Sequence, residues 1–330
     1  MNLFLCYTTL QLFIATRVIS ELQLPKDCVE VLYISKQKNK AGMNVLSEIK
    51  ELAGVVNFVH MKYKYPLYFI SLFRLFSRKK YSAVYLASID NVLMHFILSI
   101  ISFNKIHTFD DGTANIFPNT IFYRINEINI SERIFRSVLG VHFSMEIVKG
   151  LSNIHYTIYP GYSNIIENVT PIKIFPENSL SFGVDKSTDE ECNVLLGTIM
   201  SDAFADGVKI DDYVDKCICI LNGTSRKVIY IPHPRDSVGY FRGTSDWTVP
   251  NADHISEVEI NKLLGEYKIV HLYGFLSSCQ MNIQSNSRVK NYVFYSDNQA
   301  PVLKNAIQQV AVSSNSHIEI INLDSKVKQD

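Results

Sequence analysis

The sequence predicts an α/β protein of two Rossmann-like domains facing across a cleft. Three observations predict it. Short apolar runs alternate with stretches of helical periodicity through the first half. A segment of different character, with Pro160-Gly161, Pro171, Pro176 and the polar run 185–191, then interrupts the pattern. The alternation restarts after it. Strands that read as continuous apolar runs are those of a parallel sheet covered on both faces. The domains are therefore set at 1–160 and 191–330, with 161–190 as the linker.

In the first half, Leu3–Tyr7 reads as a strand, and Thr8-Thr9 caps a helix over Gln11–Leu22. Val29–Ile34, Val55–His60, Ala83–Ala87 and Lys105–Phe109 are further strands. Helices over Asn44–Leu52, Leu67–Phe76 and Asn91–Ile101 separate them, and residues 120–150 read as helical. In the second half the strands are Asn193–Leu196, Lys227–Ile231, Ile269–Leu272, Tyr292–Tyr295 and Ile318–Ile321. The helices are Asp211–Leu221, Ser256–Leu264 and Val302–Val312.

Composition narrows the function. The chain has 330 residues, 47% of them hydrophobic and 19% charged, which is enough apolar material for two ordinary cores and excludes disorder as the main state. Lys+Arg and Asp+Glu balance at 32 each, where a nucleic-acid binder carries a basic excess. The six cysteines form no CxxC pair and read as small buried hydrophobes in a reducing compartment, with Cys217 and Cys219 on one face of a buried element. No secretory signal and no apolar stretch of spanning length is visible, so the expected location is the cytoplasm or the surface of the inner membrane. P-loop, GxGxxG and GxSxG motifs are absent, as is the Asp-x-Asp metal pattern of many sugar transferases.

The polar motifs stand where strands end, the place where ligands bind in such sheets. Asp110-Asp111-Gly112 follows an apolar strand, and neighbouring side chains there point to opposite faces. One carboxylate can fix the loop while the other serves as a base; a plain turn is the alternative. Pro232-His233-Pro234-Arg235 holds an imidazole between two prolines, suited to a phosphate, or is merely a rigid strand exit. Ser277-Ser278 supplies two hydroxyls at a candidate helix start, or a simple cap. Glu257 and Glu259 open the preceding helix as ribose ligands or solvated residues. Gly197-Thr198 closes another strand.

In order and spacing these motifs resemble the bacterial sialyltransferases of glycosyltransferase family 52, the lipooligosaccharide and capsule type. The carrying residues are Cys6-Tyr7-Thr8-Thr9-Leu10-Gln11, Thr108 to Ile116, Tyr230 to Arg235, and Ser277-Ser278. Thr9 stands where members often have proline, which loosens the opening loop. The resemblance implies a GT-B fold and an inverting transfer of sialic acid from CMP-sialic acid to a terminal galactose, in α-2,3 linkage, with no metal or other cofactor. It implies Asp111 as general base and His233 at the CMP phosphate. Pro234, Ser277, Ser278, Gly197 and Thr198 join His233 on the donor side, and Glu257, with Glu259 as the alternative, holds the ribose. Thr8, Gln11, Asp110, Gly112 and Arg235 fall on the acceptor side.

Lys62, Lys64, Arg74, Arg78, Lys79 and Lys80 flank the aromatic segment 65–73, which reads as an interfacial helix or as a core helix with basic ends. Peripheral inner-membrane association and a homodimer are open expectations. The competing functions are a GT-B transferase with another nucleotide sugar, a non-catalytic glycan-binding protein of the same shape, and a phosphohydrolase using Asp110, Asp111 and His233.

Overall fold

The structure, a computed structural model, describes residues 1–36, 38–61, 67–118, 120–124, 129–175, 188–236, 238–251, 253–284, 286–312 and 317–325. It divides into two compact units, Met1–Ile174 and Phe175–Asp330.

In the first unit, β1 (Asn2–Cys6), α1 (Thr9–Glu21), β2 (Val29–Ser35), α2 (Lys40–Leu52), β3 (Val55–His60), α3 (Leu67–Phe76), β4 (Lys80–Leu86), α4 (Val92–Ile100) and β5 (Ser102–Phe109) alternate without exception. Then come α5 (Ile130–Val138), α6 (Met145–Leu151), β6 (Ser152–Thr157) and β7 (Val169–Pro171). The seven strands pair in parallel in the order β3-β2-β1-β4-β5-β6-β7. The direction of winding reverses between β1 and β4, which makes the gap beyond their carboxyl ends a ligand position. Leu3, Leu5, Leu32 and Leu86 of the sheet pack under Leu72 of α3 and Ile97 of α4, all nearly inaccessible to solvent. Helix starts follow their caps: Thr8, Asn39, Asn91, Asn129 and Ser144 each accept a backbone N–H in the first turn that follows.

Two features of this unit depart from the sequence reading. The helical stretch 120–150 is broken into separate helices, and Gly140 at φ +65° sits just past the end of α5. Strands β6 and β7 were not expected, and β7 lies inside the stretch read as linker. Their signal is weak because Ser-Asn-Ile-His-Tyr-Thr has no apolar run. Its second half, His155–Thr157, is buried nonetheless, and there His155 Nδ1 meets Thr108 Oγ1 at 2.8 Å and Nε2 meets Asp110 Oδ1 at 2.9 Å.

The second unit runs β8 (Thr188–Leu196), α7 (Met200–Ala203), α8 (Ile210–Asn222), β9 (Lys227–Ile231), α9 (Ser256–Glu266), β10 (Tyr267–Gly274), α10 (Ser278–Ile283), β11 (Val289–Tyr295), α11 (Pro301–Val312) and β12 (Ile318–Asn322). Its five strands are parallel in the order β12-β11-β10-β8-β9. Winding reverses between β8 and β10. One face of the sheet buries Leu195, Tyr230 and Phe294, and the other Val194, Val270 and Leu272. Asp189–Glu191, the end of the polar run 185–191, lies at the start of β8, with Lys268 Nζ 3.1 Å from Asp189. Residues 176–187 lie outside the described residues, and so do Lys62, Lys64, Tyr65 and Pro66.

Not all six cysteines are the buried hydrophobes that the sequence suggests. Cys6, Cys192, Cys217 and Cys279 are buried, but Cys28 and Cys219 are exposed. Residues two apart on a helix point to nearly opposite sides, so α8 buries Cys217 and turns Cys219 outward. Among the described residues no helix is long and apolar enough to cross a membrane.

Candidate active site

In the first unit the expected residues converge at the switch between β1 and β4. Gln11 lies in the first turn of α1 and is fully buried. Its Oε1 accepts from the Tyr7 backbone N–H at 2.6 Å. That donor fixes which way the amide faces, leaving both Nε2 hydrogens on the other side. One goes to Ser88 Oγ at 2.7 Å and the other to Asp111 Oδ1. Ser88 stands just past β4, and its Oγ lies 3.4 Å from Asp111 Oδ2. The Asp111 backbone N–H donates to Asn115 Oδ1 at 2.8 Å.

Asp111 is half-buried, and its pKa is pushed up to about 6. Loss of hydration is the main cause, and the charges of Asp90 and Asp110 add to it. The Gln11 and Ser88 hydrogen bonds work the other way. A carboxylate with that value is ionised at neutral pH and is a better base than a free aspartate.

Asp110 is different in kind. It is fully buried, with Oδ1 on His155 and Oδ2 accepting from the Ile158 N–H at 2.6 Å. It ties the end of β5 to β6. Gly112 is also buried, and its φ of 91° and ψ of −159° belong to a region that side chains exclude, so it shapes the turn. Thr8 is exposed, and its Oγ1 accepts from the Gln11 N–H at 3.2 Å as the cap of α1. Of the residues read as acceptor-side, Gln11 bonds the Asp111 carboxylate, Asp110 joins the strand ends, Gly112 shapes the turn and Thr8 caps α1.

In the second unit the expected residues gather at the carboxyl ends of β9, β8 and β10, which are adjacent in that order. Gly197 follows β8. A Cβ there would come within 2.4 Å of the His233 backbone nitrogen, so only glycine lets the two chains lie this close. The Gly197 N–H donates to Ile231 O at 2.8 Å. His233 is half-buried, and its Nδ1 accepts from the Arg235 N–H at 3.2 Å. The neutral ring therefore carries its proton on Nε2. Burial, and then the Arg235 charge, hold its pKa below the usual histidine value. Pro234 and Arg235 are exposed, and Thr198 is half-buried.

Ser277 caps α10: its Oγ accepts from the Gln280 N–H at 3.2 Å, and Gln280 Oε1 accepts from the Ser277 N–H at 3.1 Å. Gln280 Nε2 then donates to Tyr292 O at 2.8 Å, tying the loop to β11. A Cβ on Gly274 would stand 2.7 Å from Gln280 Oε1. Leu276, just before the cap, has φ +58°, a strained value for leucine. Ser277 and Ser278 are both half-buried. Glu257 is 4% exposed, and its Oε1 accepts from Asn282 of α10 at 2.7 Å. Burial raises its pKa. Glu259 pairs instead with Lys262 on its own helix at 3.1 Å.

Motif reading gave no role to Ser88, Asn115, Gln280 or Asn282. Two of them had a usable signal: Ser88 ends the apolar run Ala83–Ala87, and Gln280 stands three residues after Ser277, the spacing of a capping box.

Two successive units, each a parallel sheet with its polar cluster at a switch point, are the domain pair of the GT-B fold class. Solved structures agree on the fold. Arabidopsis thaliana UGT89C1 complexed with UDP aligns with a TM-score of 0.54 at 10% identity, covering 97% of this chain and 86% of the other. The Methanocaldococcus jannaschii UDP-GlcNAc 2-epimerase aligns at 0.53 and 10% identity, covering 98% and 89%. Residues 28–295 match the signature of glycosyltransferase family 52, and the chain belongs to that family. It is 33% identical to the CMP-N-acetylneuraminate:beta-galactoside alpha-2,3-sialyltransferase of Pasteurella multocida over 239 residues, 72% of this chain and 73% of the relative. It is 25% identical to the N-acetyllactosaminide alpha-2,3-sialyltransferase of Haemophilus influenzae over 301 residues, 88% and 90% of the two chains.

Proposed function

We propose that the protein is an inverting sialyltransferase, moving sialic acid from CMP-sialic acid to a terminal galactose of a lipooligosaccharide or capsular glycan in α-2,3 linkage, without a metal. The observation that carries this reading is the Asp111 carboxylate, held by two side chains at a switch point and with its pKa raised to about 6. Asp111 takes the acceptor hydroxyl proton as that oxygen attacks the face opposite the leaving group. A positioned base of this kind contributes about 10²–10⁴-fold. As CMP departs, negative charge grows on its phosphate. His233 Nε2–H and the Ser277 and Ser278 hydroxyls meet that charge. Glu257, which faces α10 where Glu259 does not, holds the ribose.

The acceptor class also bears on location. Leu67, Ile70 and Phe73 stand outward on α3 at 59%, 50% and 51% exposure, and no acidic residue occurs between Glu51 and Asp90. We read this face as docking on an anionic bilayer. Flotation with anionic liposomes should carry the protein upward, and with neutral liposomes it should stay below.

Activity is tested by incubation with CMP-sialic acid and a panel of galactosides. Mass spectrometry and a linkage-specific sialidase read the product. A sialoside cleaved by the 2,3-specific enzyme is the expected result. No transfer, with a melting-temperature rise on UDP or GDP and none on CMP, would replace the donor.

A further inference from the structure

We propose that Gln11 and Ser88 are positioning residues for the Asp111 carboxylate, a two-point clamp that holds both of its oxygens in one orientation. The inference rests on the reading of Asp111 as the base.

Gln11 is fully buried and Ser88 is 4% exposed, and both turn a polar group onto the Asp111 carboxylate. The amide of Gln11 is fixed by Tyr7 N–H at 2.6 Å, which directs Nε2 at Ser88 and at Asp111 Oδ1. Because Ser88 Oγ accepts from Gln11 at 2.7 Å, its own hydrogen is free for Asp111 Oδ2 at 3.4 Å. Each carboxylate oxygen thus receives one hydrogen bond and keeps a lone pair for the incoming proton. The two partners are 100 and 23 residues from Asp111 in sequence, brought to it by the adjacency of β1, β4 and β5.

The clamp also has an electrostatic side. The titratable groups acting on Asp111 are Asp90 past β4 and Asp110 beside it, and Cys6 at the end of β1 is near enough for the Asp111 charge to raise its own pKa. Neither acid favours its charge. The hydrogen bonds from Gln11 and Ser88 favour the ionised form, so removing them moves ionisation to higher pH.

The test compares Gln11→Met, Ser88→Ala and Ser88→Thr with the parent and with Asp111→Asn, over pH 5 to about 8.5. Gln11→Met is expected to shift the acid limb of kcat/KM upward by about one pH unit and to lower kcat about tenfold or more. KM for CMP-sialic acid should stay within about twofold. Ser88→Ala should shift the limb less, in the same direction, and Ser88→Thr should restore it. A carbon-13 titration of the Asp111 carboxyl by NMR gives the same quantity without turnover. An unmoved acid limb and an unmoved carboxyl midpoint in both Gln11→Met and Ser88→Ala would overturn the clamp. Should Gln11→Met fail to fold, the two Ser88 variants decide alone. Transfer that persists in Asp111→Asn would instead defeat the base assignment, and the NMR midpoint would still decide the clamp.

Discussion

The two units build their polar clusters at equivalent places by opposite means. In the first, side chains do the holding. Gln11, Ser88 and Asn115 reach Asp111 from three segments and engage its carboxylate and its backbone N–H. In the second, the backbone does the shaping. Gly197 and Gly274 permit close approach, Leu276 takes a left-handed turn, and Ser277 closes a capping box. His233 Nε2 and the Ser278 hydroxyl are left uncommitted among the described residues. The difference follows from the chemistry assigned to each. A base must have a defined proton affinity and direction. An anion site needs donors with room in front of them.

That contrast can be broken by substitution. Asp111→Asn is expected to have the largest effect, a loss of about 10²–10⁴-fold in kcat with CMP affinity nearly unchanged, read by steady-state kinetics and calorimetry. A variant with normal kcat would remove the functional asymmetry altogether. Gly197→Ala should come next. Its methyl would drive into the His233 backbone, so CMP affinity should fall by about tenfold or more while the acid limb of the pH profile stays in place. His233→Ala removes one charge-assisted donor and should weaken CMP by about tenfold. Equal CMP affinity in that variant would clear His233 of the anion site.

The pH dependence sharpens the comparison further. Transfer by the parent should rise with pH through about 6 as Asp111 ionises. Stability should run the other way. A carboxyl whose folded pKa lies above its unfolded value of 3.8 binds more protons when folded, so stability falls as pH rises from about 4 to about 6 and stays lower above that. Asp111→Asn should therefore melt about 2–4 °C higher than the parent at pH 8, with the gain gone near pH 4. An equal gain at both pH values would mean that relief of charge is not its cause.

The fold was legible where punctuation bounds an apolar run. Strands Val55–His60 and Lys227–Ile231 coincide with their expected limits, since Gly54 precedes the one and Pro232 follows the other. Helix α2 begins at Lys40 rather than Asn44 because Asn39 caps a first turn that carries little apolar signal. Strand β6 was invisible because it is buried through paired polar groups, and pairing is a tertiary property. The same limit applies to the site. The positions of Asp111, His233 and Ser277-Ser278 could be read from strand ends. That Gln11 lies buried against Asp111, 100 residues away, could not, because no local pattern reports which strands become neighbours.

Adjacent aspartates at one strand end offer a genetic handle. Asp110 faces His155 in the interior and Asp111 faces the proposed chemistry, so the same Asp→Asn change one codon apart should yield two phenotypes. One would deplete the protein from the cell, and the other would leave it abundant and silent. A pooled mutational scan scored for both abundance and surface glycan would read the different surroundings of the two carboxylates directly from living cells.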